Sequence, residues 1–384
     1  MATSPTDMRG PSLPVVPDDV IMDIFTRLPA KFVGRCRCLS RGWATTLSSD
    51  DFADRHHRLA NHRRIPRVFF LHHSSRDGPL MHVWSQQDSP NGAPSTLFFL
   101  KAANAKRALR VATPECHGLA VFQTLGTQIN YLCNPSTGQM ATLPEPQNTS
   151  WYRDNFCNGH YVSLGLGYDA HTKIHTVVRI HYQGLGCDHE GLPWSVECDL
   201  YVVNSIGRWR PIHERPPAWV RPDRTTEQKN DSIPAEMVIV SFSLADHTFG
   251  TLPPPLGMDK EIHSSPKHQL TNLDEHLCFI SHDRLKSCYE IWLLPEHGAH
   301  IWNLYCRMDM KKVSLDLTNP FLKWIYPLAR PCLLAHVNSY SRLCAYNLAT
   351  GDVEDIFSES SMVCDGIICS MDATLYDESI ISPR

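Results

Sequence analysis

Residues 17–29 read PDDVIMDIFTRLP, and this stretch predicts an amphipathic helix near the N-terminus. Its apolar residues recur at the spacing that places them along one side of a helix: Val20, Ile21, Ile24, Phe25 and Leu28. Asp18 and Asp19 suit the positive end of such a helix. Pro29 predicts that the helix ends at Leu28, because the residue before a proline avoids the helical conformation.

A second apolar series follows at steps of three and four: Phe32, Val33, Cys36, Leu39, Trp43 and Leu47. Gly42 beside Trp43 predicts a bend, so we expect two short helices here. Ser49 suits the cap of a further helix that begins at Asp50. Three short helices cannot bury much surface among themselves, so we expect this unit to complete its core against a partner.

The whole run from residue 16 to residue 52 resembles the plant F-box motif. Thirteen positions match in register: Pro17, Asp19, Val20, Ile24, Arg27, Leu28, Pro29, Lys31, Arg35, Arg37, Ser40, Trp43 and Leu47. The sequence departs from the motif at Val16, Phe32 and Gly42.

This resemblance implies that the segment binds a Skp-type adaptor, which bridges to a cullin. Carried over from the motif, the adaptor-binding residues are Pro17, Val20, Ile24, Leu28 and Pro29. The F-box core is then expected to contain Val33, Cys36, Leu39, Trp43 and Leu47.

From Pro66 onward the helical spacing gives way to β-branched and aromatic runs such as RVFFLHH (67–73), HTVVRIHY (175–182) and CLLAHV (332–337). Strands followed by polar turns recur roughly every 40–70 residues, and repeats near the lower end of that range are typical of propellers. The sequence therefore predicts a multidomain α+β chain: a three-helix F-box, then an all-β domain that is a six-bladed β-propeller, with five or seven blades left open, or, alternatively, a large β-sandwich.

Several pieces of this region resemble the F-box-associated domain of plant F-box proteins, among them YLCNPSTGQ (131–139), IVSFSLADHTFGTLPPP (239–255) and ATLYDESIIS (373–382). The polar stretch 219–236 departs from the family, which carries a Trp-containing element there. The expected boundaries are a disordered tail at 1–12, an F-box at 13–49, a helical linker at 50–65 and the β-domain at 66–384.

The charge of the chain is uneven. Residues 31–67 contain nine Lys or Arg and three acids, a net +6, so the overall −4 leaves −10 for the remainder. A basic head on an acidic body fits either an acidic partner or a solvated helix face. The run RHHRLANHRR (55–64) could touch phosphates, but it lacks the interleaved aromatic residues that stack on bases, so we expect a linker helix and no nucleic-acid partner.

No apolar run approaches the roughly 18 residues that a membrane helix needs, and no signal peptide is visible. We therefore expect a soluble protein of the cytoplasm and/or nucleus, without membrane contact. The 14 cysteines then read as reduced thiols.

No catalytic or cofactor motif is convincing. Residues 165–170, GLGYDA, match a dinucleotide loop, but that loop must lead into a helix and KIHTVVRIHY (173–182) reads as a strand. Cys36 and Cys38 would lie on opposite sides of a helix, and a zinc site from Cys157, His160, Cys187 and His189 lacks a C-x-x-C pair. We expect no metal, no cofactor and no catalytic residue.

These observations favour a substrate-recruiting subunit of a cullin-type (SCF) ubiquitin ligase, whose β-domain binds an unknown target protein. Trp194, Trp219 and Trp302 are candidate target anchors, each with membership of a blade core as the alternative. A propeller enzyme or small-ligand sensor that carries an F-box, and an F-box scaffold outside any ligase, remain open alternatives.

Overall fold

The structure is a computed structural model of the 384-residue chain. It describes residues 16–62, 67–74, 78–85, 95–99, 109–124, 129–146, 161–183, 195–205, 207–218, 238–256, 268–273, 276–283, 288–295, 301–309, 322–327, 332–337, 342–347, 350–358, 363–364, 367–368 and 372–383.

Four helices open the described chain and form what we call the helical unit, residues 16–62: α1 (Asp18–Arg27), α2 (Ala30–Cys36), α3 (Arg41–Thr46) and α4 (Asp50–Asn61). Pro17 stands just before α1, and Leu28 leaves the helix with an extended backbone, as the following proline demands. The Ser49 hydroxyl accepts a hydrogen bond from the Phe52 amide at 3.3 Å, so the predicted cap of α4 is confirmed.

The predicted bend at Gly42 is wrong. Gly42 lies inside α3, and the break falls earlier, between Cys36 and Arg41. Ser40 adopts an extended backbone there, and its hydroxyl accepts a hydrogen bond from the Trp43 amide at 3.1 Å. A serine that can cap a new helix marks this break better than the glycine inside the helix does.

The rest of the described chain is β-structure, with these strands: β1 (Arg67–Ser74), β2 (Gly78–Ser85), β3 (Ser95–Phe99), β4 (Leu109–Val111), β5 (Ala120–Thr124), β6 (Asn130–Cys133), β7 (Met140–Thr142), β8 (Tyr161–Asp169), β9 (Ile174–Gln183), β10 (Ser195–Val202), β11 (Arg210–Ile212), β12 (Ile239–Ser243), β13 (Thr248–Leu252), β14 (His268–Leu273), β15 (His276–Asp283), β16 (Cys288–Leu294), β17 (Asn303–Asp309), β18 (Leu322–Pro327), β19 (Cys332–Val337), β20 (Arg342–Asn347), β21 (Val353–Ser358), β22 (Val363–Cys364), β23 (Ile367–Ile368) and β24 (Asp372–Leu375). We call β1–β24 the β-domain.

All described pairings of these strands are antiparallel. Four sheets are simple meanders of four consecutive strands: β4–β7, β8–β11, β14–β17 and β18–β21. A fifth has the order β24-β1-β2-β3, so the last strand of the chain pairs with the first. The strands β12–β13 and β22–β23 form two-stranded sheets. Polar turns join paired strands at residues 136–138, between β6 and β7, and at residues 245–247, between β12 and β13.

Successive sheets pack against one another, and their apolar side chains fill the spaces between them. One cluster joins β1 and β2 to β4–β6, and a second joins β5 and β6 to β9 and the β10–β11 hairpin. Two more clusters place the β12–β13 hairpin between the sheets β8–β11 and β14–β17. Strand β18 contacts both β14 and β24, and β24 contacts β4. This sequence of contacts returns to its start, as in a propeller and unlike a two-sheet sandwich.

The predicted count of six blades is wrong for the described residues. A propeller blade has four strands, and the described residues form five sheets of that size. The β12–β13 sheet has two strands, and it follows the polar stretch 219–236, which lies outside the described residues. The count of six came from the spacing of the repeats along the sequence. That spacing cannot show whether a polar stretch such as 219–236 contributes a strand to a blade.

Candidate protein-docking surface

The outer face of α1 is apolar and open. Val20 is 45% exposed and Ile24 is 51% exposed, whereas Phe25 and Thr26 on the opposite side are buried. Four residues advance a helix by about 6 Å with little rotation, so Val20 and Ile24 lie side by side along one face. Exposed β-branched residues in such a row do nothing for the folded chain alone, and they form a surface suited to a protein partner.

The other residues predicted to bind an adaptor lie at the two ends of α1. Pro17 and Pro29 are exposed, beside the outer face. Leu28 is half-buried and packs against the core of the helical unit. Its carbonyl oxygen accepts a hydrogen bond from His56 Nε2 at 2.8 Å, which joins the end of α1 to α4.

The core of the helical unit contains most of the residues predicted for it. Val33 and Leu47 are fully buried, and Cys36 and Trp43 are partly buried against the same cluster. The Trp43 ring meets Phe25 edge-on, with ring centroids 5.0 Å apart.

Leu39 was predicted to lie in this core, and the structure corrects that prediction because Leu39 is 66% exposed. It follows α2, where the chain turns toward Ser40, so its helical spacing from Cys36 no longer applies. Val16 and Phe32 are also about half exposed, and the Arg35 guanidinium lies over the Phe32 ring at 5.8 Å. The continuing spacing of Val16, Val20 and Ile24 would have indicated the first of these.

Trp302, predicted as a target anchor, is in fact part of the β-domain core. It is buried against Phe279, and its indole N–H donates a hydrogen bond to the Pro253 carbonyl at 2.9 Å. Trp209 makes the same bond to the Pro144 carbonyl at 2.7 Å. Both indole rings lie against the end of the preceding sheet. Trp194 and Trp219 lie outside the described residues.

Helix α4 packs against α1 on one side and faces the β-domain on the other. His57 faces the β-domain and packs on His117 with ring centroids 4.0 Å apart, and His117 in turn stacks on Tyr168 at 3.8 Å. The Lys173 ammonium, in the β8–β9 turn, bonds the Asp54 carboxylate at 2.5 Å. The helix predicted as a linker therefore touches the modules on both of its sides.

Burial is the largest cause of the pKa shifts of the ionisable side chains at this junction. It lowers the pKa of His117 to about 3, with further lowering by the neighbouring His57 and His175. Burial also lowers the pKa of His175 to about 4, against the opposing effect of its hydrogen bond to the Cys116 carbonyl. The pKa of Glu115 is raised well above its usual value, first by burial and then by the nearby Asp377. His117 and His175 therefore pack in their neutral forms at neutral pH.

The described residues give little support to cofactor chemistry. Gly165 and Gly167 lie within strand β8, and no helix follows them, so the dinucleotide loop is excluded. A β-carbon on Gly167 would approach Leu244 Cδ1 to 2.8 Å, so this glycine serves strand packing. Among the described residues no three His, Cys, Asp or Glu side chains cluster as metal ligands would. The four zinc candidates, Cys157, His160, Cys187 and His189, lie outside those residues.

The described helices also include none that is both long enough and apolar enough to cross a membrane.

Two protein-family profiles match the chain. The F-box domain matches residues 13–55, and the F-box associated beta propeller domain matches residues 67–318. Because the second match covers more than half of the chain, the chain belongs to the family of proteins with an F-box-associated β-propeller.

Individual relatives come from Arabidopsis thaliana. "F-box protein At5g65850" is 32% identical over 35% of this chain and 33% of its own length. "Putative F-box protein At1g12855" is 23% identical over 80% of this chain and 70% of its own length. "F-box protein At3g07870" is 24% identical over 76% of this chain and 71% of its own length. The first match thus spans only a third of that relative.

Proposed function

We propose that this chain is the substrate-recruiting subunit of an SCF-type ubiquitin ligase. The helical unit binds a Skp-type adaptor, and through it a cullin, while the β-domain binds a target protein. The observation that carries the proposal is the open apolar row of Val20 and Ile24 on a segment that matches the F-box profile. The chain performs no covalent chemistry in this role, and it acts in the cytoplasm and/or nucleus.

The contribution of such a subunit is proximity. Holding a target beside a ubiquitin-charged enzyme raises the effective concentration of the acceptor lysine without any new catalytic group. The charge of the sequence supports the same proposal, because residues 31–67 carry a net +6 on a chain that is −4 overall. A basic segment of this kind speeds association with an acidic partner.

Co-purification with a plant Skp-type adaptor tests the docking surface. We expect Ile24→Asp to weaken adaptor binding at least 100-fold, because it places a charge in the centre of an apolar contact. Leu256→Asp is the matched control: Leu256 is 99% exposed on the β-domain, and its replacement should leave the affinity unchanged. Circular dichroism checks that both variants are folded.

The outcome also separates the alternatives. Full adaptor binding by a folded Ile24→Asp protein would contradict the proposed surface. Adaptor binding without recruitment of the cullin would favour a scaffold outside any ligase, and failure of the wild type to bind the adaptor would leave a propeller sensor or enzyme.

A further inference from the structure

Residues 377–383 follow the last strand and run between the helical unit and the β-domain; we call them the strap. Ile380 is 1% exposed and belongs to the core of the helical unit, together with Phe25, Ala30, Val33, Leu47 and Phe52. The rest of that core comes from residues before position 62. One of its six buried members is therefore supplied from more than 300 residues further along the chain.

Polar contacts hold the strap to the helical unit. Glu378 Oε1 accepts a hydrogen bond from the Ala30 amide at 2.6 Å, and Glu378 Oε2 lies 3.3 Å from the guanidinium of Arg67, the first residue of β1. The Asn61 side chain bonds the Glu378 backbone twice, donating to its carbonyl at 3.0 Å and accepting from its amide at 2.9 Å. Arg37 donates to the Ile380 carbonyl at 3.2 Å.

The opposite side of the strap is bound to the β-domain. The Asn134 amide group donates to the carbonyls of Ser379 and Ile381 at 2.9 and 2.7 Å, and the Ser379 amide donates to Ser136 Oγ at 3.0 Å. Gly118 has φ +91°, and a β-carbon there would lie 2.2 Å from Ser379 Cβ. Only glycine allows the strap to approach this closely.

We propose that the strap is an integral part of the helical unit, which is not an independent module in this protein. It supplies a core residue that the helices lack, and it fixes their orientation against the β-domain. The helices are short and bury little surface of their own, so the loss of one central side chain costs them a large share of their stability. All of these contacts lie within the chain, so the strap would have this role whether or not the chain belongs to a ligase.

Hydrogen exchange of the full chain tests whether the strap supplies a core residue that stabilises the helices. We compare wild type with a chain lacking residues 377–384, and with Ile380→Ala in case the truncated chain does not fold. Amides of α1–α3 should exchange at least ten times faster in either variant, while those of β14–β17 keep their rates. The control, Leu256→Ala, changes an apolar side chain that is 99% exposed, and it should alter neither set of exchange rates.

A zero-length carbodiimide cross-link between Lys173 and Asp54 tests whether the strap fixes the orientation of the helices against the β-domain. These two groups bond directly across the junction. Its yield, read by mass spectrometry, should fall at least five-fold when the strap is removed. Unchanged exchange in α1–α3 would overturn the role of the strap in the core, and an unchanged cross-link yield would overturn its role in orientation. Neither measurement involves an adaptor, so failure here is distinct from failure of the proposed function.

Discussion

His117 lies at the junction between the helical unit and the β-domain. Its backbone is left-handed, with φ +47°, and its ring is held between His57 and Tyr168. Its Nε2 atom is buried without a hydrogen-bond partner in the described part of the chain. No carboxylate among the described residues bonds this atom, and burial disfavours the charged ring, so the ring stays neutral at neutral pH.

This arrangement gives the protein a predictable response to acid. The pKa of His117 in the folded chain is about 3, below the value near 6.5 expected when unfolded, so the unfolded chain binds a proton first as the pH falls. Stability from His117 is therefore complete above pH ~6.5 and declines from there toward pH ~3. Asparagine tolerates the left-handed backbone at this position. We therefore expect the melting temperature of the His117→Asn variant to fall less between pH 7 and pH 5 than that of the wild type.

Two comparisons make that measurement specific. His213 is exposed, so His213→Asn should follow the wild-type pH curve. Glu115 acts in the opposite sense, because its raised pKa makes the folded chain hold a proton that the unfolded chain releases as the pH rises. That contribution is common to all three proteins and cancels in their difference. If the melting temperatures of wild type and His117→Asn depended on pH in the same way, His117 would not be the cause of the loss of stability in acid.

At the scale of elements, two sheet-to-sheet contacts are built alike. Trp209 stands just before β11 and bonds the Pro144 carbonyl, which follows β7; Trp302 stands just before β17 and bonds the Pro253 carbonyl, which follows β13. In each case a buried indole ties one sheet to the end of the sheet before it. The same device thus serves both a four-stranded sheet and the two-stranded β12–β13 sheet.

The variant Trp302→Phe isolates this device. It keeps an aromatic ring and removes the donor, so we expect a loss of about 1 kcal/mol in the free energy of unfolding beyond the change in packing. Trp292→Phe is the control, because Trp292 packs against the same cluster and its Nε1 has no hydrogen-bond partner among the described residues. Urea unfolding should show the larger loss for Trp302→Phe. Equal losses would mean that the hydrogen bond contributes nothing.

Local features of these elements could be predicted from sequence, and long-range ones could not. Leu28–Pro29 and Ser49 determine helix ends through their own backbone preferences, and short β-branched runs determine strands. The exposure of Leu39 and the burial of Trp302 and Ile380 depend on which distant surfaces reach these side chains. The Ala30–Glu378 bond joins residues 348 positions apart, and no spacing rule extends that far.

At the scale of the whole molecule, the β-domain closes through one strand. β24 pairs with β1 at four positions, from Val68 with Leu375 to Leu71 with Asp372. It also contacts β4 on one side and β18 on the other. The ring of sheets is therefore closed by hydrogen bonds between the two ends of the β-domain.

Two truncations separate ring closure from the strap. Removing residues 372–384 deletes β24, and we expect the cooperative unfolding transition of the β-domain to be lost, because the edge of β1 and the neighbouring apolar faces are exposed. Removing only residues 377–384 should keep that transition, with a lower midpoint. Calorimetry distinguishes the two results. A sharp, wild-type-like transition without β24 would contradict closure through this strand.

The position of Ile380 has a consequence for the order in which the protein is made. The helices leave the ribosome first, but their sixth core residue is translated 318 positions after residue 62. At 5–20 residues per second this delay is about 15–65 s. During this interval the helical unit lacks one of its six buried core residues, so we expect its apolar core to stay partly open until residue 380 has been translated. A chain cut off before that residue never completes the core of the helical unit.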